Sequence, residues 1–176
     1  MSLAGLRRKT TAQHYQKLLK KAGNEHGEIP RAILRVGVLA DSRLFGSYDI
    51  SRNLSQKFDM PHNRIDILIF ENVKDDYVKQ HYNTFSDKDF GMYGKIKVPN
   101  VADFIEHRFD ILINYCNDKS MYTNLVALKS RAKFKIGFAD TDLQNIYDFM
   151  IAVDGNKIDI FNEELIRYLK ILNLIE

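Results

Sequence analysis

Short apolar runs alternate along this chain with stretches whose apolar residues recur at helical spacing. Leu6, Tyr15, Leu18, Leu19 and Ala22 fall on one stripe with Thr, Gln and Lys between them. That pattern predicts a helix from about Thr10 to Ala22, closed by Gly23-Asn24. Beyond Pro30, Ala32-Ile-Leu-Arg-Val-Gly-Val-Leu39 reads as a buried strand, and Tyr48 to Phe58 returns to helical spacing through Ile50, Leu54 and Phe58. Asp59-Met-Pro-His-Asn63 breaks the chain, and Ile65-Asp-Ile-Leu-Ile-Phe70 is a second strand. Strand, helix, strand at this spacing is a βαβ unit with a right-handed crossover.

Residues 71–100 are less regular. Asn83-Thr-Phe-Ser-Asp-Lys-Asp-Phe-Gly-Met-Tyr-Gly94 mixes aromatics, glycines and charges, and Lys95-Ile-Lys-Val98 alternates. The pattern predicts a loop or lid bearing exposed aromatics, then a short edge strand. Asn100 is placed to cap a helix from Val101 to His107. Periodicity then returns with a strand at Ile111–Tyr115, a helix from Asp118 or Ser120 to about Ser130, and a strand at Phe134–Phe138. A last strand at Phe149–Val153 precedes a final helix opened by Asn162 or Glu163, with Leu165, Tyr168, Leu169, Leu172 and Ile175 inward.

Strands that are apolar on both faces and alternate with helices imply a mostly parallel sheet covered on both sides. The expected fold is a three-layer α/β sandwich of Rossmann-like type. Its sheet should have five or six strands, with an extra N-terminal helix. The expected organisation is an arm at residues 1–24 and a single domain at 25–176.

Composition narrows the class. A chain of 176 residues can bury about 70% of the surface exposed on unfolding. A hydrophobic share of 45% and a charged share of 28% are those of a soluble globular protein. No apolar run reaches the ~20 residues of a membrane helix. The N-terminus has no secretory pattern, and a cytoplasmic location is the default expectation. One cysteine, Cys116, leaves no intrachain disulfide and no multi-cysteine metal site. Its neighbours Asn117 and Asp118 disfavour a reactive thiolate.

Charge is unevenly spread. Residues 1–24 carry Arg7, Arg8, Lys9, Lys17, Lys20 and Lys21 and no acid, while the remainder has 20 bases against 23 acids. A basic arm on a mildly acidic body can touch nucleic acid, an anionic surface or its own body. The plain reading of such a run is a solvated helix face. A single aromatic, Tyr15, among the bases argues against a nucleic-acid groove binder.

In open parallel sheets, ligands gather beyond the carboxyl ends of the strands, where strand order reverses. The candidates there are Asp41, Ser42 and Ser47 after the first strand, Glu71 and Asn72 after the second, then Asn114, Asn117 and Asp118, and Asp140, Thr141 and Asp142. Several carboxylates there are suited to a hard cation or a hydroxyl-rich ligand. Asp, Asn and Ser are also ordinary helix caps. Ala40-Asp-Ser-Arg-Leu-Phe-Gly46 lacks the glycine pattern of a dinucleotide site. The five histidines have no ligand spacing, so no metal ligand, cofactor or catalytic residue is assigned.

Phe109-Asp-Ile-Leu-Ile-Asn114 followed by Ala132-Lys-Phe-Lys-Ile-Gly-Phe138 resembles a segment of the N-terminal domain of heptosyltransferase-type glycosyltransferases. The resemblance implies a catalytic acid after the first strand, where Asp41 stands behind Ala40 rather than behind the family's glycine. Across residues 30–176 the chain also resembles a family of small uncharacterised bacterial α/β proteins. The elements that carry this are Ser86-Asp-Lys-Asp-Phe-Gly91, Phe109-Asp-Ile-Leu-Ile-Asn-Tyr115, Asp148-Phe-Met-Ile151 and Tyr168-Leu169. That resemblance implies a fold and no activity.

Three functional expectations follow. One is a non-enzymatic partner-binding or homo-oligomerising module using Tyr15, Leu18, Leu19, Phe90 and Tyr93. Another is a nucleotide or sugar-phosphate binder, or a reduced glycosyltransferase-like domain, using the strand-end rim. The third is an anionic-surface or nucleic-acid contact through the basic arm.

Overall fold

The computed structural model describes residues 2–23, 27–42, 49–71, 83–116, 120–154 and 157–175. Six strands form one parallel sheet: β1 (Val36–Asp41), β2 (Ile65–Phe70), β3 (Thr84–Phe85), β4 (Ile111–Asn114), β5 (Phe134–Phe138) and β6 (Phe149–Ile151). Five helices accompany them among the described residues: α1 (Leu3–Ala22), α2 (Ile50–Lys57), α3 (Pro99–Glu106), α4 (Met121–Lys129) and α5 (Ile158–Ile171). The spatial order is β3-β2-β1-β4-β5-β6, so strand order reverses between β1 and β4. No helix among the described residues is long and apolar enough to cross a membrane.

Side-chain alternation along each strand divides the core in two. Val36, Val38, Ala40, Ile111, Ile113, Phe134 and Ile136 pack with Ile50 and Leu54 of α2 and with Phe161, Leu165 and Leu169 of α5. On the other face, Leu39, Leu68, Phe70 and Leu112 pack with Tyr15 of α1, Phe104 and Ile105 of α3, and Leu125 and Val126 of α4. The three-layer α/β sandwich expected from the alternation of strands and helices is therefore present, and all five strand pairings are parallel.

Several element boundaries differ from expectation for local reasons. α1 starts at Leu3 because the Ser2 hydroxyl accepts from Gly5 N–H, a cap that lies before the apolar stripe begins. β1 starts at Val36 rather than Ala32. The N–H groups of Leu34 and Arg35 donate to the Asp110 carboxylate instead of to a neighbouring strand, and Leu34 is 66% exposed. α5 opens at Ile158, well before Asn162. The Asn162 side chain is fully buried and links Tyr115 to Asn53 of α2.

The irregular region departs furthest. Its sheet strand is Thr84–Phe85, whereas Lys95–Val98 contributes only an antiparallel bridge between Phe90 and Ile96. Phe85 and Phe90 are fully buried and meet edge to face with ring centroids 6.1 Å apart. Asn100 lies inside the first turn of α3 rather than capping it. Its amide donates to Asn83 Oδ1 and the Thr84 carbonyl, tying the loop to the helix.

Candidate functional site

The N-terminal helix is part of the body. Thr11 Oγ1 donates to the Gly91 carbonyl and accepts from Gly94 N–H, and Thr10 Oγ1 accepts from Tyr93 N–H. These bonds dock the Met92–Gly94 turn onto α1. Gly94 is required there: its φ is +67°, and a Cβ would stand 2.8 Å from a Leu125 methyl. Tyr15 and Phe90 are buried, and Leu18 and Leu19 pack against the same core. Of the five residues expected to form a partner surface, only Tyr93 stands well clear, at 61% exposure. The apolar stripe of α1 is satisfied within the chain.

The strand-end residues divide by face. Leu39 pairs with Asn114 in register, so alternation puts Asp41 and Asn114 on the side covered by α1, α3 and α4. Both are buried, at 5% and 1% exposure, whereas Ser42 is half-buried. Glu71 follows β2 on the opposite side at 1% exposure, with neither carboxylate oxygen hydrogen-bonded among the described residues. Ser47, Asn117 and Asp118 lie outside the described residues.

From Asn114 a buried polar chain runs outward. Asn114 Oδ1 accepts from Cys116 N–H at 2.9 Å, and its Nδ2 donates to Tyr147 Oη at 2.6 Å. Tyr147 Oη donates to Asn124 Oδ1 at 3.4 Å, and Asn124 lines a cleft together with Tyr15. Buried polar groups are tolerated when they satisfy one another in this way. Burial pushes the Tyr147 phenol far above its ordinary range, so it stays neutral and acts as both donor and acceptor.

Gly137 makes this geometry possible. A Cβ there would sit 2.8–2.9 Å from three atoms of the Tyr147 ring, so the ring can lie on β5 only where the side chain is absent. The glycine of Phe134-Lys-Ile-Gly-Phe138 and the asparagine of Phe109-Asp-Ile-Leu-Ile-Asn114 thus serve the same tyrosine. Tyr147 and Asn124 carried no sequence signal, because their roles arise only when α4 and the β5–β6 connection meet.

The chain of bonds ends at a cleft of about 280 Å³ lined by Tyr15, Gln16, Leu19, Met121, Asn124, Asp140, Asp142 and Leu143. One wall is α1, the second is the first half of α4, and the third is the Thr141–Leu143 turn, whose first N–H groups Asp140 helps to cap. The Tyr15 phenol is pushed up by burial first, then by the Asp140 and Asp142 carboxylates, against the opposing pull of Asn124. The cleft is therefore electronegative, with Leu19, Met121 and Leu143 as its apolar part. The sequence had assigned Asp140 to the rim and Tyr15 and Leu19 to a partner surface, and the fold brings the three together.

Two further cavities are less suited to a ligand. One of about 510 Å³ at the end of β6 has, among the described residues that line it, a single charged pair, Lys157 and Asp154, bonded to each other at 2.9 Å. Another, of about 270 Å³ at the opposite end of the sheet, holds Arg35, whose Nη1 lies 2.8 Å from His107 Nε2 and 3.4 Å from Asp66. Arg35 is engaged with His107 and Asp66, and Asn100 with Asn83. No group of three or more His, Cys, Asp or Glu suited to a metal occurs among the described residues.

Comparison with known proteins adds one finding. The model of DUF6913, a family of unknown function, matches residues 7–172. No curated protein and no solved structure matches the chain.

Proposed function

The chain belongs to DUF6913, a family of unknown function, and we propose that it binds a small polar ligand in the cleft between α1, α4 and the Thr141–Leu143 turn. The observation that carries this reading is convergence: a phenol, two amides and two carboxylates around one partly apolar concavity is the usual make-up of a small-molecule site. Its place supports it as well. The order β3-β2-β1-β4-β5-β6 is that of Rossmann-like sheets, whose ligands lie beyond the carboxyl ends of the strands near the reversal. Asp140 follows β5, one strand from β4, and Asn114 connects the reversal to the cleft through Tyr147 and Asn124.

Carboxylates accept hydrogen bonds and the amides can do either, so the matching ligand carries hydroxyl or amine donors and an apolar body for Leu19, Met121 and Leu143. A free phosphate or a strongly anionic nucleotide would meet Asp140 and Asp142 directly and is disfavoured.

A thermal-shift screen of polyols, nucleosides, sugars and amines tests the reading. At about 100 times its dissociation constant a ligand stabilises by about 2.7 kcal/mol, which is a rise of roughly 5–10 °C for a chain of this size. Asp140→Asn combined with Gln16→Ala should reduce the shift of any hit, since both side chains line the cleft without belonging to the buried chain of bonds. A hit whose shift is unchanged in that variant binds elsewhere, and the reading fails.

A further inference from the structure

The basic arm gains its meaning from what the fold places beside it. The loop that Thr10 and Thr11 hold against α1 brings Lys88, Lys95 and Lys97, all exposed, to the helix that already carries six bases and no acid. Lys95 and Lys97 both run against Gly91, beside Met92 and Tyr93. The positive field reaches inward. His14 is held below its ordinary value by burial and then by the charges of Lys129 and Lys17. The loop's own acids are engaged, Asp87 with Arg7 at 3.7 Å and Asp89 with the N–H and hydroxyl of Ser86.

On this same side three large apolar groups stand out of the body. Leu3 is 78% exposed, Tyr93 61% and Met92 40%. Leu3 and Thr10 are two helical turns apart and so share a face of α1, and Thr10 holds the Tyr93 backbone. Tyr93 adopts the left-handed conformation, φ 57° and ψ 26°, which a residue with a Cβ takes up only when its surroundings impose it. The hydrogen bonds to α1 impose it here, and they leave the ring in solvent.

We propose that this face, α1 with the docked Met92–Gly94 turn, binds an anionic phospholipid surface. Lysines around exposed apolar side chains satisfy both halves of such an interface: the bases meet lipid headgroups while Leu3, Met92 and Tyr93 enter the headgroup boundary. A nucleic acid fits less well, because Leu3 and Met92 offer nothing to a base and, among the described residues of this face, Tyr93 is the one exposed aromatic for stacking.

The test uses the full chain in flotation with phosphatidylcholine vesicles, with and without phosphatidylserine, and retention on a single-stranded RNA. Binding should require phosphatidylserine and weaken as salt is added. Lys95→Gln with Lys97→Gln should lower partitioning about thirty-fold, at roughly five-fold for each lysine. Tyr93→Gly separates binding from folding. It relieves the left-handed backbone, so the melting temperature should hold or rise while vesicle binding falls. Equal binding to both vesicle types would overturn the proposal, as would variants that float like the parent chain. So would retention on RNA with no flotation.

Discussion

Asp110 is the residue on which the entry to β1 depends, and its replacement can be worked out from distances. It is 7% exposed. One carboxylate oxygen, Oδ2, accepts from Leu34 N–H at 2.9 Å and Arg35 N–H at 3.0 Å, and the other accepts from Lys133 Nζ at 2.7 Å. Hydrogen bonds to a charged partner contribute about 1.5–3 kcal/mol each. The Lys133 side chain is 50% exposed, so its ion pair adds at most about 1 kcal/mol. Asp110→Ala, which strands both backbone donors, should cost about 3–6 kcal/mol and lower the melting temperature by roughly 6–24 °C. Asp110→Asn can keep both donors on its carbonyl oxygen but loses the ion pair and the charge assistance of those two bonds, at about 1–3 kcal/mol.

Acid adds a second signature. Burial alone would raise the Asp110 carboxyl. The Lys133 hydrogen bond and the two backbone donors more than offset this and leave it below its usual value of 3.8. A depressed carboxyl contributes stability that is present above the unfolded pKa and is lost as pH falls through the folded one. Urea melts of both variants and the parent from neutral pH into that range should show the parent converging on Asp110→Asn. If Asp110→Asn costs as much as Asp110→Ala at neutral pH, the ion pair and not the backbone clamp carries the effect, and the reasoning fails.

The remaining predictions concern the buried chain of bonds behind the cleft. Gly137→Ala places a methyl against the Tyr147 ring and should cost about 1–3 kcal/mol by overpacking, read by chemical denaturation. A change under half a kcal/mol would mean the ring can move aside. Tyr147→Phe keeps the ring but removes the partner of Asn114 Nδ2, leaving a buried donor unpaired at about 2 kcal/mol. Adding Asn114→Leu removes that donor but strands the Cys116 N–H that Asn114 Oδ1 accepts, so the double variant should cost less than the sum of the two single changes, and a double-mutant cycle measures the difference. Simple additivity of the two changes would show that the bond contributes little.

The sequence carried the layers of the fold because its apolar periodicities are local. Ile65–Phe70 and Phe134–Phe138 have the observed bounds, and both are runs whose burial on two faces needs no knowledge of what covers them. The irregular loop was misread for the same reason. Phe85 and Phe90 sit among charges and glycines, and they are buried through the pairing of Thr84–Phe85 with β2 and the docking of the loop on Thr10 and Thr11. The stripe of α1 left two partners open, the body or a second subunit, because an apolar stripe states that something must cover it and not what does.

For the candidate site, single residues were legible and their grouping was not. Asp140 and Asn114 could be placed at strand ends by counting along the chain. Tyr147, Asn124 and Gln16 could not, because they join the site from elements 20 to 130 residues away from one another in the chain. Local pattern determined which segments become strands and helices and which side of each is apolar, since that depends on neighbours within a turn or two. Tertiary structure alone decided which polar side chains meet, that the N-terminal helix walls a cleft, and that its lysines join those of a distant loop. Those outcomes follow from crossovers and packing that no short stretch of sequence encodes.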